Sequence, residues 1–122
     1  MSAAVVVAVL AAGAGGAALR YLVSRGFAGR DRGFPWAVLV VNVVGSAIGG
    51  AVLGLAEAGG IGADIRLILL TGLCGGLTTF STLSVETVQL VIDGRARFAV
   101  ASGAANLVLG IGVAAAAYAL TR

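Results

Sequence analysis

The sequence has little charge, no histidine, no lysine and a single cysteine. Charged residues make up 11% of its 122 residues, against about 25% in an average soluble domain. The missing histidines exclude a zinc site of the usual ligands and histidine-based acid–base catalysis. One cysteine excludes an intrachain disulfide. An enzyme and an organic cofactor are therefore not expected, because no nucleophile–base pair or set of metal ligands can be assembled from these side chains.

The composition is instead dominated by apolar residues. They make up 60% of the chain, and the mean hydropathy is +1.10. Disorder is excluded, since it requires low hydrophobicity and high net charge. A soluble globule is excluded as well, because so few charged side chains cannot cover its surface. The pI near 10 resembles that of a nucleic-acid-binding protein, but the arginines are scattered between apolar blocks, which is typical of loops between membrane spans.

Four long stretches lack any charge, at residues 1–19, 33–56, 67–85 and 98–121. A helix needs roughly 20 residues to cross about 30 Å of hydrocarbon, so each stretch predicts a transmembrane helix. Pro35 and Trp36 mark the start of the second helix, since proline suits the first turn and tryptophan the membrane interface. We expect an all-α membrane protein, a single domain over residues 1–122, with spans at about 2–23, 34–56, 66–91 and 98–121.

The arginines are distributed unevenly between the two ends of these spans. An even number of spans places both termini and the middle link on one side, which carries Arg66 and Arg122. The other side carries six arginines: Arg20, Arg25, Arg30, Arg32, Arg95 and Arg97. The positive-inside rule predicts that the first and third links are cytoplasmic, with both termini outside the cell membrane.

Glycine is abundant, with 20 residues. Helices in lipid associate by close approach at small residues, and glycines recur four residues apart in the second and third spans. The pairs are Gly45/Gly49, Gly50/Gly54 and Gly72/Gly76. We expect an oligomer, although a chain rich in glycine and alanine produces such spacings by chance as well.

Most of the polarity inside the spans lies in the third span, in Gly72-Leu-Cys-Gly-Gly-Leu-Thr-Thr-Phe-Ser-Thr-Leu-Ser84. Adjacent glycines followed by adjacent threonines weaken a helix, so this span is predicted to be broken at its centre. Freed carbonyls suit a hard cation such as sodium, and hydroxyl donors suit an anion. The alternative is that the hydroxyls bond to carbonyls of their own helix.

The run Gly75-Gly-Leu-Thr-Thr-Phe-Ser-Thr82 resembles the signature of the small fluoride channels of the CrcB/Fluc family. Further landmarks occur in the family's order along the whole chain: Arg20-Tyr21, Asn42-Val-Val-Gly-Ser46, Glu86 and Asn106-Leu-Val-Leu-Gly110. The resemblance implies an antiparallel dimer that exports cytoplasmic fluoride passively through two pores at the subunit interface. It also implies a sodium ion at the centre of the dimer.

The resemblance assigns roles to particular residues. The sodium ligands are the backbone carbonyls of Gly75 and Thr78, and Arg20 lies in a vestibule that attracts anions. The pore-lining residues are Asn42, Phe80, Ser81, Thr82, Leu83, Ser84 and Asn106. Amide and hydroxyl donors replace the water around fluoride, and the positive edge of an aromatic ring faces an anion favourably. Each of these residues also has an alternative role. Asn42 and Asn106 could form hydrogen bonds between helices, Phe80 could serve ordinary packing, and Arg20 could be a charge at the end of a helix.

Two positions depart from the family pattern. Leu83 stands where the family has a second phenylalanine, and Ser102 stands where a tyrosine is frequent. Leucine offers no ring edge, so the pore that depends on position 83 is expected to conduct poorly. The six-to-two arginine bias also predicts one fixed orientation. Together these features suggest half of a heterodimer, with a paralogous partner of opposite orientation.

A small multidrug antiporter is the main rival class, since it also has four spans and a similar length. Such exchangers need a carboxylate within the first span, and the first span here contains none. A purely structural membrane subunit is a second rival. It gives no reason for five hydroxyls behind a pair of glycines.

Overall fold

The computed structural model describes residues 1–30 and 32–122. Its helices are α1 (Ala3–Phe27), α2 (Trp36–Glu57), α3 (Ala63–Ile92) and α4 (Ala96–Thr121). Each of the four is long and apolar enough to cross a membrane, and the described residues contain no strand. The predicted fold class, four transmembrane helices with the third broken at its centre, is confirmed.

The helix ends differ from the expected spans by a few residues. α1 continues to Phe27 and α3 already begins at Ala63, because an α-helix does not end where the hydrophobic stretch ends. Pro35 lies at the N-cap of α2, and Trp36 is its first helical residue. Gly59 and Gly94 follow α2 and α3 with φ of 80° and 79°, a left-handed conformation that glycine adopts without strain. The links are therefore short and sharply turned.

The glycines of the predicted spacings pack within the chain. A Cβ built at Gly50 would lie 2.9 Å from Ala114 Cα on α4, and one at Gly72 would lie 2.8 Å from the Val9 carbonyl on α1. A Cβ at Gly76 would collide with Gly13 on α1. These spacings thus bring α2 close to α4 and α3 close to α1. Contacts inside one chain account for them, so they carry no support for an oligomer.

α3 consists of two halves with different neighbours. Its first half, residues 63–77, contains a wide π-helical stretch at Ile68–Cys74 and packs against α1. Its second half, Ser81–Ile92, packs against α4. Between them the helix is interrupted and bends by 24° at residues 78–80. Thr78 has an extended conformation, with φ −81° and ψ 158°.

The interruption lies after the pair of glycines rather than within it. Gly75 and Gly76 belong to the last helical turn of the first half, and Gly76 is pressed against α1. Glycine at these positions serves the close approach of two helices. The threonines that follow are where the backbone leaves the helix.

Asn42 on α2 holds the interrupted backbone in place. Its Oδ1 accepts a 2.8 Å hydrogen bond from the Thr79 amide, and its Nδ2 donates a 3.1 Å hydrogen bond to the Thr79 carbonyl. Because the Thr79 N–H can only donate, the amide of Asn42 must point its oxygen there, which fixes its orientation. The remaining Nδ2 proton is donated to Asn106 Oδ1 on α4, at 2.9 Å.

Thr79 itself starts the second half of α3. Its Oγ1 accepts a 3.1 Å hydrogen bond from the Thr82 amide three residues later, the bond made by an N-cap side chain. A peptide group that leaves the helix inside a membrane has no water to bond to, so it must find partners in the protein. Asn42 and the Thr79 hydroxyl supply them.

We predict that Asn42→Ala lowers the free energy of unfolding by about 1–3 kcal/mol, because the buried main-chain groups of Thr79 lose their partners. Denaturing-detergent titration of the purified protein measures this. Asn106→Ala is the matched control, since it removes an amide of the same size but keeps both bonds between Asn42 and Thr79. An equal loss in the two variants would contradict the role given to Asn42.

Neighbouring glycines on α1 test the close packing. A Cβ at Gly16 would lie 2.8 Å from Leu77 N, whereas one at Gly15 meets nothing within 4 Å. We expect Gly16→Ala to lower stability by about 1–3 kcal/mol through overpacking, and Gly15→Ala to leave it unchanged or raise it slightly. Thermal unfolding in detergent compares them. Equal melting temperatures of the two variants would contradict the close packing of α1 against α3 at Gly16.

Candidate functional site

Two open cavities flank the interruption of α3 and share Thr79. The larger, of about 530 Å³, opens between α2, α3 and α4. It contains four of the predicted pore-lining residues: Asn42, Phe80, Leu83 and Asn106. The other residues around it are Ser46, Thr78, Thr79, Gly103 and Leu107. The structure thus brings together residues from three helices that are separated by up to 64 positions in the chain.

The smaller cavity, of about 300 Å³, lies between α1, α2 and the second half of α3. Arg20 and Thr82, predicted for the vestibule and the pore, both line it. Glu86, one turn further along α3, also lines it. The cavity therefore contains one basic and one acidic side chain together with the Thr82 hydroxyl.

Phe80 is the most exposed residue of the interruption, with 81% of its side chain accessible. It lies at the junction between the two halves of α3 and borders the larger cavity. Phe80 does not contribute to packing within the chain. Its ring is free to meet either lipid or another protein surface.

The hydroxyl groups differ in what they have left to donate. Thr79 Oγ1 donates to Thr82 Oγ1 at 3.0 Å, so the Thr82 hydroxyl accepts this bond and keeps its own proton for a ligand. Thr78 Oγ1 donates to the Cys74 carbonyl, and Ser84 Oγ donates to the Phe80 carbonyl, each at 2.9 Å. The alternative that the hydroxyls bond to carbonyls of their own helix is therefore what the structure shows for Thr78 and Ser84.

Ser81 and Ser84 lie outside both sets of lining residues. Ser81 is exposed at the first position of the second half of α3, and its Oγ lies 3.4 Å from Thr79 Oγ1. The Ser84 hydroxyl would have to rotate away from the Phe80 carbonyl before it faced an anion. Their predicted role as pore-lining residues stays a prediction.

The two asparagines form a connected chain of hydrogen bonds. Asn42 donates to Asn106, and Asn106 Nδ2 donates to the Ser102 carbonyl at 2.8 Å. Ser102 is fully buried, at 0% accessibility. The amide protons that were expected to face an anion are thus bonded to protein oxygens. An anion near Asn42 would take over one of these bonds.

The carbonyls of Gly75 and Thr78 have lost their helical donors. In a continuous helix they would accept from the amides of Thr79 and Thr82, four residues later. Those amides are bonded instead to Asn42 Oδ1 and to Thr79 Oγ1. Among the described residues no group of three acidic or cysteine side chains gathers to hold a metal. The carbonyls of Gly75 and Thr78 are therefore oxygen acceptors without a helical donor.

Thr79 lies at the centre of the candidate site, and the sequence analysis gave it no role. It is 7% exposed, bonds to Asn42 through both main-chain groups and lies between the two cavities. The threonine three residues before Thr82 is a recognisable N-cap signal. Its bonds to α2, 37 positions away, have no signal in the local sequence.

Comparison with known proteins gives consistent matches over nearly the whole chain. A family model described as CrcB-like protein, Camphor Resistance (CrcB), matches residues 7–118. A protein of Frankia casuarinae, named fluoride-specific ion channel FluC 1, is 42% identical over 120 residues, which is 93% of each chain.

Two further relatives carry the same name. The protein of Streptomyces avermitilis is 42% identical over 100 residues, or 81% of each chain. The protein of Nitrobacter hamburgensis is 39% identical over 120 residues, which is 96% of this chain and 94% of that protein. The family match and these identities, over a four-helix fold with an interrupted third helix, show that the chain belongs to the CrcB family.

Proposed function

We propose that this chain is a subunit of a fluoride channel of the cell membrane. The observation that carries the proposal is the interrupted α3, which holds Phe80, Thr79 and Thr82 between two cavities of a transmembrane bundle that combine apolar walls with a few polar groups. The names of its relatives identify the ion. The channel lowers cytoplasmic fluoride by passive export.

The chemistry of the cavities suits a small, strongly hydrated anion. Such an ion leaves water only where donors replace its hydration shell. Arg20 attracts it at the entrance, the Thr82 hydroxyl donates to it, and Phe80 offers a positive ring edge next to the larger cavity. No arginine lines the larger cavity, where a fixed positive charge would hold the ion too tightly for conduction.

A second subunit completes the site in this proposal. Phe80, Ser81 and Gly75 are exposed at the level of the interruption, in the middle of α3. Polar main-chain and hydroxyl groups at that depth are costly against hydrocarbon, and a second copy or a paralogous partner in the opposite orientation covers them. The pores then run along the interface between the two chains.

A sodium ion fits between the two chains on the carbonyls of Gly75 and Thr78. Their helical donors are bonded elsewhere, and sodium prefers oxygen ligands. The ion would link the two interrupted helices by neutral dipoles. In this chain, the role of Asn42 and Thr79 is to keep those carbonyls turned away from the helix axis.

The proposed role of Phe80 is tested by passive fluoride efflux from liposomes that hold this chain together with a partner subunit of opposite orientation. We expect Phe80→Ile to reduce efflux by about tenfold, because an aromatic contact is worth up to about 1.5 kcal/mol. Phe27→Ile at the end of α1 is the control and leaves efflux unchanged. Leu83→Phe is expected to raise efflux, since it restores a ring beside Asn42. Unchanged efflux in Phe80→Ile would contradict the proposed pore.

The arginine distribution tests the heterodimer. The side with Arg20, Arg95 and Arg97 is proposed to be cytoplasmic in nearly all copies, as the positive-inside rule requires. Labelling of single cysteines placed at the N-terminus and in the third link is expected to show one dominant orientation. This chain alone is then expected to give little efflux, and co-reconstitution with a partner of opposite bias restores it. Equal populations of both orientations would overturn the heterodimer and favour a homodimer.

A further inference from the structure

A third open cavity, of about 410 Å³, lies where the first link meets the start of α4. It shares no lining residue with the two cavities at the interruption of α3. The residues around it are Arg32, Gly94, Arg95, Ala96, Arg97 and Phe98. Half of them are arginines, which makes this cavity different in chemistry from the proposed pores.

The charge around this cavity is positive. Among the described residues, no carboxylate belongs to its lining. Asp93 borders a neighbouring cavity, where it accepts a 2.9 Å hydrogen bond from Gln89. By sequence the two segments that meet here, 30–33 and 93–98, contain four arginines and two aspartates, for a net charge of +2. The cavity therefore favours an anion.

The start of α4 adds to this preference. The N-cap of this 26-residue helix is Arg95, which makes no side-chain cap bond, and the first turn contains no acidic residue. The N-terminal end of a helix carries a partial positive charge and amide donors. The Arg95 guanidinium lies against Gly33, since a Cβ built there would collide with it. Arg95 is thus held between the two links.

Aromatic rings place the cavity at the depth of the lipid headgroups. Phe98, on its wall, meets Phe34 edge to face with centroids 5.9 Å apart, and Phe34 lies 4.6 Å from Trp36. Trp36 is 45% exposed at the first residue of a transmembrane helix. Tryptophan is enriched at the membrane–water interface. An anion bound beside Phe98 is therefore at the level of phospholipid phosphates.

Arg32 has a backbone conformation that requires an explanation. Its φ of 51° is the one positive value among the described residues other than glycine. A residue with a Cβ is disfavoured there, and such strain occurs at ligand-binding positions. In this conformation Arg32 lines the cavity together with the start of α4.

We propose that this cavity binds the phosphate of an anionic phospholipid headgroup, with Arg32 and Arg97 as its charged contacts. A guanidinium presents paired donors that match phosphate oxygens. The depth given by Phe98 and Trp36 favours a lipid over a free phosphate ion. The site is separate from fluoride conduction and does not depend on it.

The sole tryptophan of the chain makes this site measurable. Trp36 fluorescence is quenched by brominated acyl chains that lie next to it, so quenching by brominated phosphatidylglycerol and by brominated phosphatidylcholine gives the relative binding of the two lipids. We expect the unaltered protein, reconstituted in mixed bilayers, to prefer phosphatidylglycerol. An arginine that contacts the lipid headgroup contributes about fivefold. Arg32→Asn and Arg97→Gln are each expected to lower the preference about fivefold.

Matched variants separate a specific site from general attraction to an anionic membrane. Asparagine tolerates a positive φ, so Arg32→Asn removes the charge without adding strain. Arg30→Asn removes one charge from the same link but does not line the cavity, and it is expected to leave the preference nearly unchanged. Arg97→Lys keeps most of the preference.

The outcomes are distinct. A preference that falls equally in Arg30→Asn and Arg32→Asn would overturn the site and leave only surface charge. A preference that is unchanged in both Arg32→Asn and Arg97→Gln would overturn it as well. Inorganic phosphate that competes with brominated phosphatidylglycerol at millimolar concentration would assign the cavity to a soluble anion instead of a lipid. None of these measurements involves fluoride, so their outcome does not depend on the proposed channel function.

Discussion

The pair of hydrogen bonds between Asn42 and the main chain of Thr79 sets the geometry on which the candidate site depends. A peptide group outside a helix finds no water inside a bilayer, so the interruption of α3 exists only because another helix supplies a donor and an acceptor at the same place. A side-chain amide does this as a second peptide group would. The position of α2, fixed against α4 by close contact at Gly50, therefore decides where α3 is interrupted.

The interruption of α3 places hydrogen-bond acceptors and donors at the same depth. The carbonyls that end the first half of α3 lose their amide donors, while the second half begins with its N-terminal end at the same depth. Carbonyls attract a cation, and helix N-termini and hydroxyl donors attract an anion. The acceptors and the donors at the interruption are therefore neutral groups. No charged side chain has to be transferred from water into the membrane, which would be costly. Arg20 and Asn42 line different cavities, and Thr79 lines both.

Much of the fold follows from local properties of the sequence. Charge-free stretches of about 20 residues predict the four helices, and adjacent glycines and threonines predict an interrupted third helix. Within that motif the structure separates the two roles: Gly76 serves contact with Gly13, and the backbone leaves the helix at Thr78.

The site was predicted less completely than the fold. Asn42 lines one cavity with Phe80, Leu83 and Asn106, and its amide protons are engaged by Thr79 and Asn106. A pattern along the chain indicates which residue types face a cavity. It does not indicate which hydrogen-bond partner each one has, because partners on different helices are chosen by packing. The hydroxyl groups are another example of partners that the sequence does not indicate. Thr82 accepts a hydrogen bond and can still donate one, whereas Ser84 already donates to the Phe80 carbonyl.

The different neighbours of the two halves of α3 impose an order on biogenesis. The first half packs against α1, which has already been synthesised when α3 enters the membrane. The second half packs against α4, and Asn42 bonds to Asn106 on the same last helix. The interrupted segment therefore gains its last contacts only after α4 has been synthesised, and a nascent chain that has released three helices still lacks the α4 side of the larger cavity.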